Sequence, residues 1–309
     1  MGIKKTITVL LTVFIICFAF GQKIWPAPGS SAGLPFIGIT GQIDWEKGGL
    51  SFTAVFDLAA AGIRFPAGRG QAEEILNEEY PGLVRSLLFS IQADSSSTIG
   101  DLVEKGELSL RELDEICLNA KKIPPNFSAD LTKFLGSYLI DTSRISQALI
   151  HHNQAADPVR PVIPTPAANY TGIIIVADSP LPIHGRNTGA FLVPCIFPKI
   201  WDTDMNLIYD KKMTDPLITG SGVKNTVYYT GVKNIYHPTP SGLDSDLTAL
   251  VGEHPLRIFA GGVFGMVPTD PVIDKADALL ILSNENNRRL LKEGKVVIAI
   301  NENQITENR

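Results

Sequence analysis

The stretch that most constrains the fold runs from Tyr170 to Asp210. Tyr170–Ala177 is a dense apolar run rich in β-branched residues, with Ile173, Ile174, Ile175 and Val176 in a row. Such a run, without polar alternation, reads as a buried strand. A second strand is expected from Leu192 to Trp201, interrupted by Pro194 and Pro198. Asp202-Thr203-Asp204-Met205-Asn206 has turn chemistry, and Leu207–Tyr209 carries the chain back. A closing apolar run, Lys295–Asn301, reads as a last buried strand after a helical turn ended by Gly294.

A chain of 309 residues is long enough for one large domain or two ordinary ones, each with a real core. Its 44% hydrophobic and 19% charged residues fit a globular protein. The net charge of −5 and the lack of a basic block argue against nucleic acid and anionic membrane surfaces as partners.

Residues 1–21 have the order of a secretory signal. Lys4 and Lys5 precede an apolar core from Ile7 to Phe20, too short for a membrane span. Ala19 and Gly21 are small residues at the usual positions, so cleavage falls before Gln22. Lipidation at Cys17 is the alternative, although Ile16 stands where a small residue is needed. Export leaves Cys117 and Cys195, and an oxidising compartment permits a bond between them. Two separate buried thiols are the other reading.

The chain then divides as follows: a linker over 22–35, an α/β domain over 36–150, a Pro-rich linker over 151–169, a strand-rich α/β domain over 170–301, and a tail over 302–309. The expected class is α/β or α+β, two units with mixed sheets. In the first unit, Leu34–Ile43 and Leu50–Phe56 read as a hairpin, with Gly48 and Gly49 available for positive φ. Gln71–Ile91 has helical spacing, and Pro81 splits or kinks it. Ser109-Leu110-Arg111-Glu112 is a capping box opening a helix that buries Leu110, Leu113, Ile116 and Cys117 and ends before Pro124-Pro125. Leu131–Ile140 reads as a strand and Ser143–Ile150 as a short helix. In the second unit, strands are expected within Asn225–Tyr236 and Leu256–Val267, with a helix from Lys275 to Ser283.

No catalytic constellation stands out. Asp202-x-Asp204-x-Asn206 begins like a calcium loop, but Leu207 and Met213 occupy the positions where that loop needs Gly and Glu. His151-His152 diverge on any helix and read as linker residues. Ser221-x-x-Lys224 has the form of an acylating pair, but Gly220 and Gly222 place it in a loop. No catalytic, cofactor-binding or metal-binding residue is assigned, and no cofactor is expected. Trp201, Tyr228, Tyr229 and Tyr236 are candidates for an aromatic partner surface.

Several segments together resemble a family: the Trp45 hairpin and its following helix, Tyr170–Ile175, Pro194–Tyr209, Pro255–Ile258, Thr269–Ile273, Ala276–Leu280 and Val296–Ile298. Their order is similar to that in periplasmic and outer-membrane-associated proteins related to the flagellar assembly T protein and the Lpp-type lipoproteins of flagellated bacteria. The resemblance implies a non-enzymatic assembly role at the cell envelope. The partners it implies are envelope or flagellar basal-body proteins, and contact with the membrane is by association or a lipid anchor. A periplasmic glycan- or peptide-binding module is the alternative, and a hydrolase a remoter one.

Overall fold

The structure is a computed structural model that describes residues 35–64, 66–220, 227–232, 235 and 245–301. The signal and its Gly21–Gln22 junction, Cys17, Ser221, Lys224 and Tyr236 lie outside the described residues.

The chain is an α+β protein of two domains, the second rich in strands. The first domain has strands β1 (Ile37–Asp44), β2 (Gly49–Asp57), β3 (Lys121–Phe127) and β4 (Lys133–Asp141). They form one antiparallel sheet in the order β1-β2-β4-β3. Gly48, at φ 64°, closes the first hairpin in the left-handed region, where a side chain is costly. β2 alternates strictly: Leu50, Phe52, Ala54 and Phe56 point to the core, while Ser51, Thr53 and Val55 face outward.

Helix α1 (Arg69–Phe89) covers the core face with Ala72, Leu76, Tyr80, Val84 and Leu88. It runs continuously through Pro81, so neither a split nor a second helix occurs there. Gly136 of β4 lets this helix approach closely, because a Cβ there would stand 2.6 Å from Leu76 Cδ2. Tyr80 stacks on Tyr138 with centroids 3.8 Å apart. Helices α2 (Ile99–Glu104), α3 (Leu110–Leu118) and α4 (Thr142–Ala148) complete this domain. The Ser109–Glu112 capping box forms as read. Leu110, however, is exposed, because the first helical position points away from the core while Leu113, Ile116 and Cys117 point into it.

The second domain contributes β5 (Ile173–Val176), β6 (Leu181–Pro182), β7 (Gly189–Ala190), β8 (Ile200–Asp202), β9 (Leu207–Tyr209), β10 (Val227–Tyr229), β11 (Leu256–Phe264), β12 (Asp270–Ile273) and β13 (Val296–Ala299). Seven of them form a mixed sheet, ordered β10-β13-β5-β11-β12-β8-β9. β10, β13, β5 and β11 are parallel neighbours. Parallel strands are covered on both faces, which is why β5 and β13 are apolar at every position. One face packs on α6 (Ser245–Val251), after the short α5 (Pro216–Gly220). The other face joins the core of the first domain, so one apolar cluster runs through both. The segment 191–199 is a loop rather than the strand expected over 192–201. Pro194 and Pro198 withhold ladder donors, and pairing begins only at Ile200.

Residues 151–169, expected as a Pro-rich linker, contain no helix or strand and join the two domains. They form an ordered strap across α7 (Lys275–Leu282) and α8 (Glu285–Lys292). Ala156 N–H donates to Lys212 O (2.8 Å), and Thr165 N–H donates to Ser283 Oγ (2.9 Å). Asn284 Nδ2 donates to Ala167 O (3.1 Å), and Asn287 Nδ2 to Ala168 O (2.9 Å). His151 and His152 bond the carbonyls of Glu107 and Thr214, both at 2.8 Å, and so fasten the start of the strap.

Candidate functional site

The three candidate aromatics among the described residues, Trp201, Tyr228 and Tyr229, do not gather on a surface. Tyr228 and Tyr229 are buried because β10 is covered on both faces. The Tyr228 hydroxyl accepts from Cys195 N–H (2.9 Å) and donates to Cys195 O (3.0 Å). Trp201 is half-buried, packs edge-on against Phe264 and donates through Nε1 to Asp270 Oδ2 (3.3 Å). Cys117 and Cys195 are separate buried thiols, not a disulfide; each sits in the core of its own domain. Burial pushes the Cys117 thiol up to about 12 and raises that of Cys195 further, which suppresses thiolate chemistry at both. Asp202 is consumed by its turn: Oδ1 accepts from Asp204 N–H (3.0 Å) and Asn206 N–H (2.8 Å), and Oδ2 accepts from Asn206 Nδ2 (2.8 Å).

One group of buried polar residues, Gln92, Ser95, Thr269 and Asp270, lies at the seam between the domains. The loop after α1, Ile91–Thr98, inserts against the second domain. Ile196 N–H donates to Gln92 O (3.2 Å), Phe197 N–H to Ala93 O (2.8 Å) and Val267 N–H to Ser95 O (3.0 Å). Beside it lies Asp270, with no exposed surface. Its carboxylate accepts from Lys199 N–H (3.1 Å), Thr269 Oγ1 (2.8 Å) and Trp201 Nε1, and from the Ser95 hydroxyl across the seam. Burial lifts its pKa above the usual range, while these donors pull it back. On the opposite side, Glu46 of the β1–β2 turn accepts from Thr230 N–H (3.2 Å) and Thr230 Oγ1 (3.0 Å), and Trp45 packs edge-on against Tyr228 at 5.7 Å. These bonds hold the two domains as one body and leave the seam's polar atoms satisfied.

What stays open is a sheet edge. Unpaired edges template strand addition, and proteins blunt those they do not use. β3 carries Lys121, Lys122, Pro124 and Pro125 and a bulge between Ile123 and Asn126. β9 and β10, the edges of the second sheet, have three residues each. β1 has none of these devices. It is eight residues long, lacks Pro, keeps unbroken register with β2, and is uncharged from Ile37 to Ile43. Asp57 N–H bonds Phe36 O, so the even-numbered residues of β1 pair inward with β2. The N–H and C=O groups of Ile37, Ile39, Gly41 and Ile43 therefore point away from the sheet and, among the described residues, meet no strand.

Among the described residues, the outer face beside this edge is also uncovered. Thr40, Gln42, Ser51 and Leu139 are exposed, and a groove of about 510 Å³ crosses it near the hairpin turn. Lys47, Lys121 and Arg144 line that groove together with Asp44 and Asp141. Reading the sequence alone finds β1 as a strand but not as an edge. The only local sign is the contrast between its neutral run and the Lys-Lys-x-Pro-Pro of β3.

Residues 37–148 match the family model described as Treponema pallidum Tp0624, N-terminal domain, and residues 172–302 match that of Treponema pallidum Tp0624, second domain. Over these two successive segments the chain is similar to that protein. Neither description names an activity, a ligand or a partner. No curated protein matches the chain.

Proposed function

We propose that the protein is a non-catalytic, envelope-associated assembly module that takes an extended segment of a partner protein along the open edge of β1. The observation that carries this reading is the asymmetry of its edges: three are blunted, and the long one is left clean. Strand addition derives its affinity from main-chain hydrogen bonds and its selectivity from alternate side chains. Here an added strand meets four outward backbone pairs and lays its side chains beside Thr40, Gln42 and the mixed-charge groove. The welded seam supports the same role, since a rigid body transmits position from one bound partner to another. Residues 1–21, read as an export signal, set the place. The descriptions of the matched domains name no flagellar or lipoprotein relation, so the partner is kept to the envelope in general. A glycan-binding role asks for a pocket lined by Trp and Tyr, and the groove beside β1 is lined by neither.

The test is photo-crosslinking in cells from probes at Gln42, on the open edge, and at Asn126, on the blunted one. The reading expects an envelope protein trapped from position 42 and not from 126, and lost when Ile37→Pro removes an outward donor. Equal capture from both positions, or capture unaffected by Ile37→Pro, overturns it.

A further inference from the structure

The strap over 151–169 carries a second, independent feature. Between its anchors it lifts three aliphatic side chains into solvent: Val159 is 64% exposed, Val162 99% and Ile163 83%. Isolated surface aliphatics need no explanation, but two adjacent, almost fully exposed ones on a segment fastened at both ends do. The same nine residues, 158–166, include Pro158, Pro161, Pro164 and Pro166. Each removes a backbone N–H, the group that makes irregular chain costly to take out of water.

Directly beneath lies a groove of about 560 Å³ lined by Pro158 and Arg160 of the strap and by Arg288, Arg289 and Lys292 of α8, with Asp157 and Glu285 as its carboxylates. Lys292 pairs with Asp157, and Arg289 pairs with Glu293 at 3.2 Å. Arg288 Nη1 donates to Leu282 O (2.5 Å). With Glu293 counted, four cations stand against three carboxylates, so this rim keeps a small positive balance on a chain whose net charge is −5. The apolar tip follows the cationic rim directly along the strap: Pro158 and Arg160 line the groove, and the exposed Val162 and Ile163 come two and three residues after Arg160.

We propose that this face docks on an anionic phospholipid surface. Val162 and Ile163 enter the boundary between headgroups and acyl chains, and Arg160 with the α8 cations meets lipid phosphates. The arrangement is that of interfacial anchors, which combine a modest apolar insertion with cationic contacts and need both. It runs against the expectation drawn from the overall charge, because the balance of this face is opposite to that of the chain.

The test is co-sedimentation of the purified full chain with vesicles of mixed phosphatidylglycerol and phosphatidylcholine, compared with phosphatidylcholine alone. Binding is expected only to the anionic vesicles and falls with added salt. Val162→Asp with Ile163→Asp lowers the partition coefficient about tenfold or more. Arg160→Glu lowers it about fivefold. Val162→Trp raises it, which guards against loss of binding through misfolding. Equal binding to both vesicle types, or an Asp pair that binds like the parent, overturns the proposal. So does soluble glycerophosphate binding the groove while vesicles do not, which makes it a small-anion site, and so does self-association through the tip, which makes it a contact between copies.

Discussion

Asp270 joins the two domains, and Asp270→Asn tests how. Three donors converge on the carboxylate at 2.8–3.3 Å, and the Ser95 hydroxyl adds a fourth from the other domain. Asparagine preserves the shape and one acceptor oxygen. If that oxygen stays toward Lys199 N–H and Thr269 Oγ1, the new amide faces Trp201 Nε1, and donor meets donor. Losing that bond and weakening the charge-assisted ones costs about 1–3 kcal/mol. The pH dependence carries the sharper signature. Burial raises the Asp270 pKa in the folded state above 3.8, so the folded chain holds this proton more tightly than the unfolded one. Its contribution to stability is fully present below the ordinary pKa and is lost as pH rises through the raised value. An asparagine side chain at this position cannot titrate. The stability lost on going to Asp270→Asn is therefore larger near pH 4 than near pH 8. Urea unfolding followed by Trp fluorescence at both pH values gives the comparison. A loss that grows toward pH 8 refutes the reasoning, because the buried carboxylate would then be stabilising as an anion.

Other positions give further tests. Gly136→Ala places a Cβ 2.6 Å from Leu76 Cδ2 under α1 and costs about 1–3 kcal/mol in thermal or urea unfolding; a neutral result means the helix does not bear on the sheet there. Pro81→Ala restores a donor inside α1 and raises stability by about 1–2 kcal/mol after its loss of unfolded-state restraint; a lower melting temperature means Pro81 shapes the packing of that helix. Cys117 and Cys195 resist iodoacetamide at pH 8 in the native chain and react on unfolding, as mass spectrometry reads directly; rapid native labelling of either contradicts its burial.

Local chemistry made much of the fold legible in the sequence. Alternation marks β2, the Ser109–Glu112 box marks the start of α3, and unbroken apolar runs mark β5 and β13. β3 was hidden by Pro124-Pro125, which argue against a strand; it forms because an edge strand pairs on one side only and bulges at the prolines. α2 was hidden because its capping box, Thr98 with Asp101, has Asp where Glu or Gln is the usual signal. The fastening of the Pro-rich linker was hidden because what holds it, Asn284 and Asn287, lies more than a hundred residues away in the chain. The same limit hid the site. Strand order is a tertiary property, and nothing within Ile37–Asp44 states that, among the described residues, no neighbour pairs on its far side.

The most direct test of the open edge is residue-resolved amide hydrogen exchange along β1 in the purified chain. The account predicts an alternating pattern: Gly38, Thr40 and Gln42 protected by β2, with Ile37, Ile39, Gly41 and Ile43 exchanging fast until a partner strand binds and protects them. Uniform protection of all seven in the isolated chain means the edge is already covered, and it contradicts the proposed role of β1.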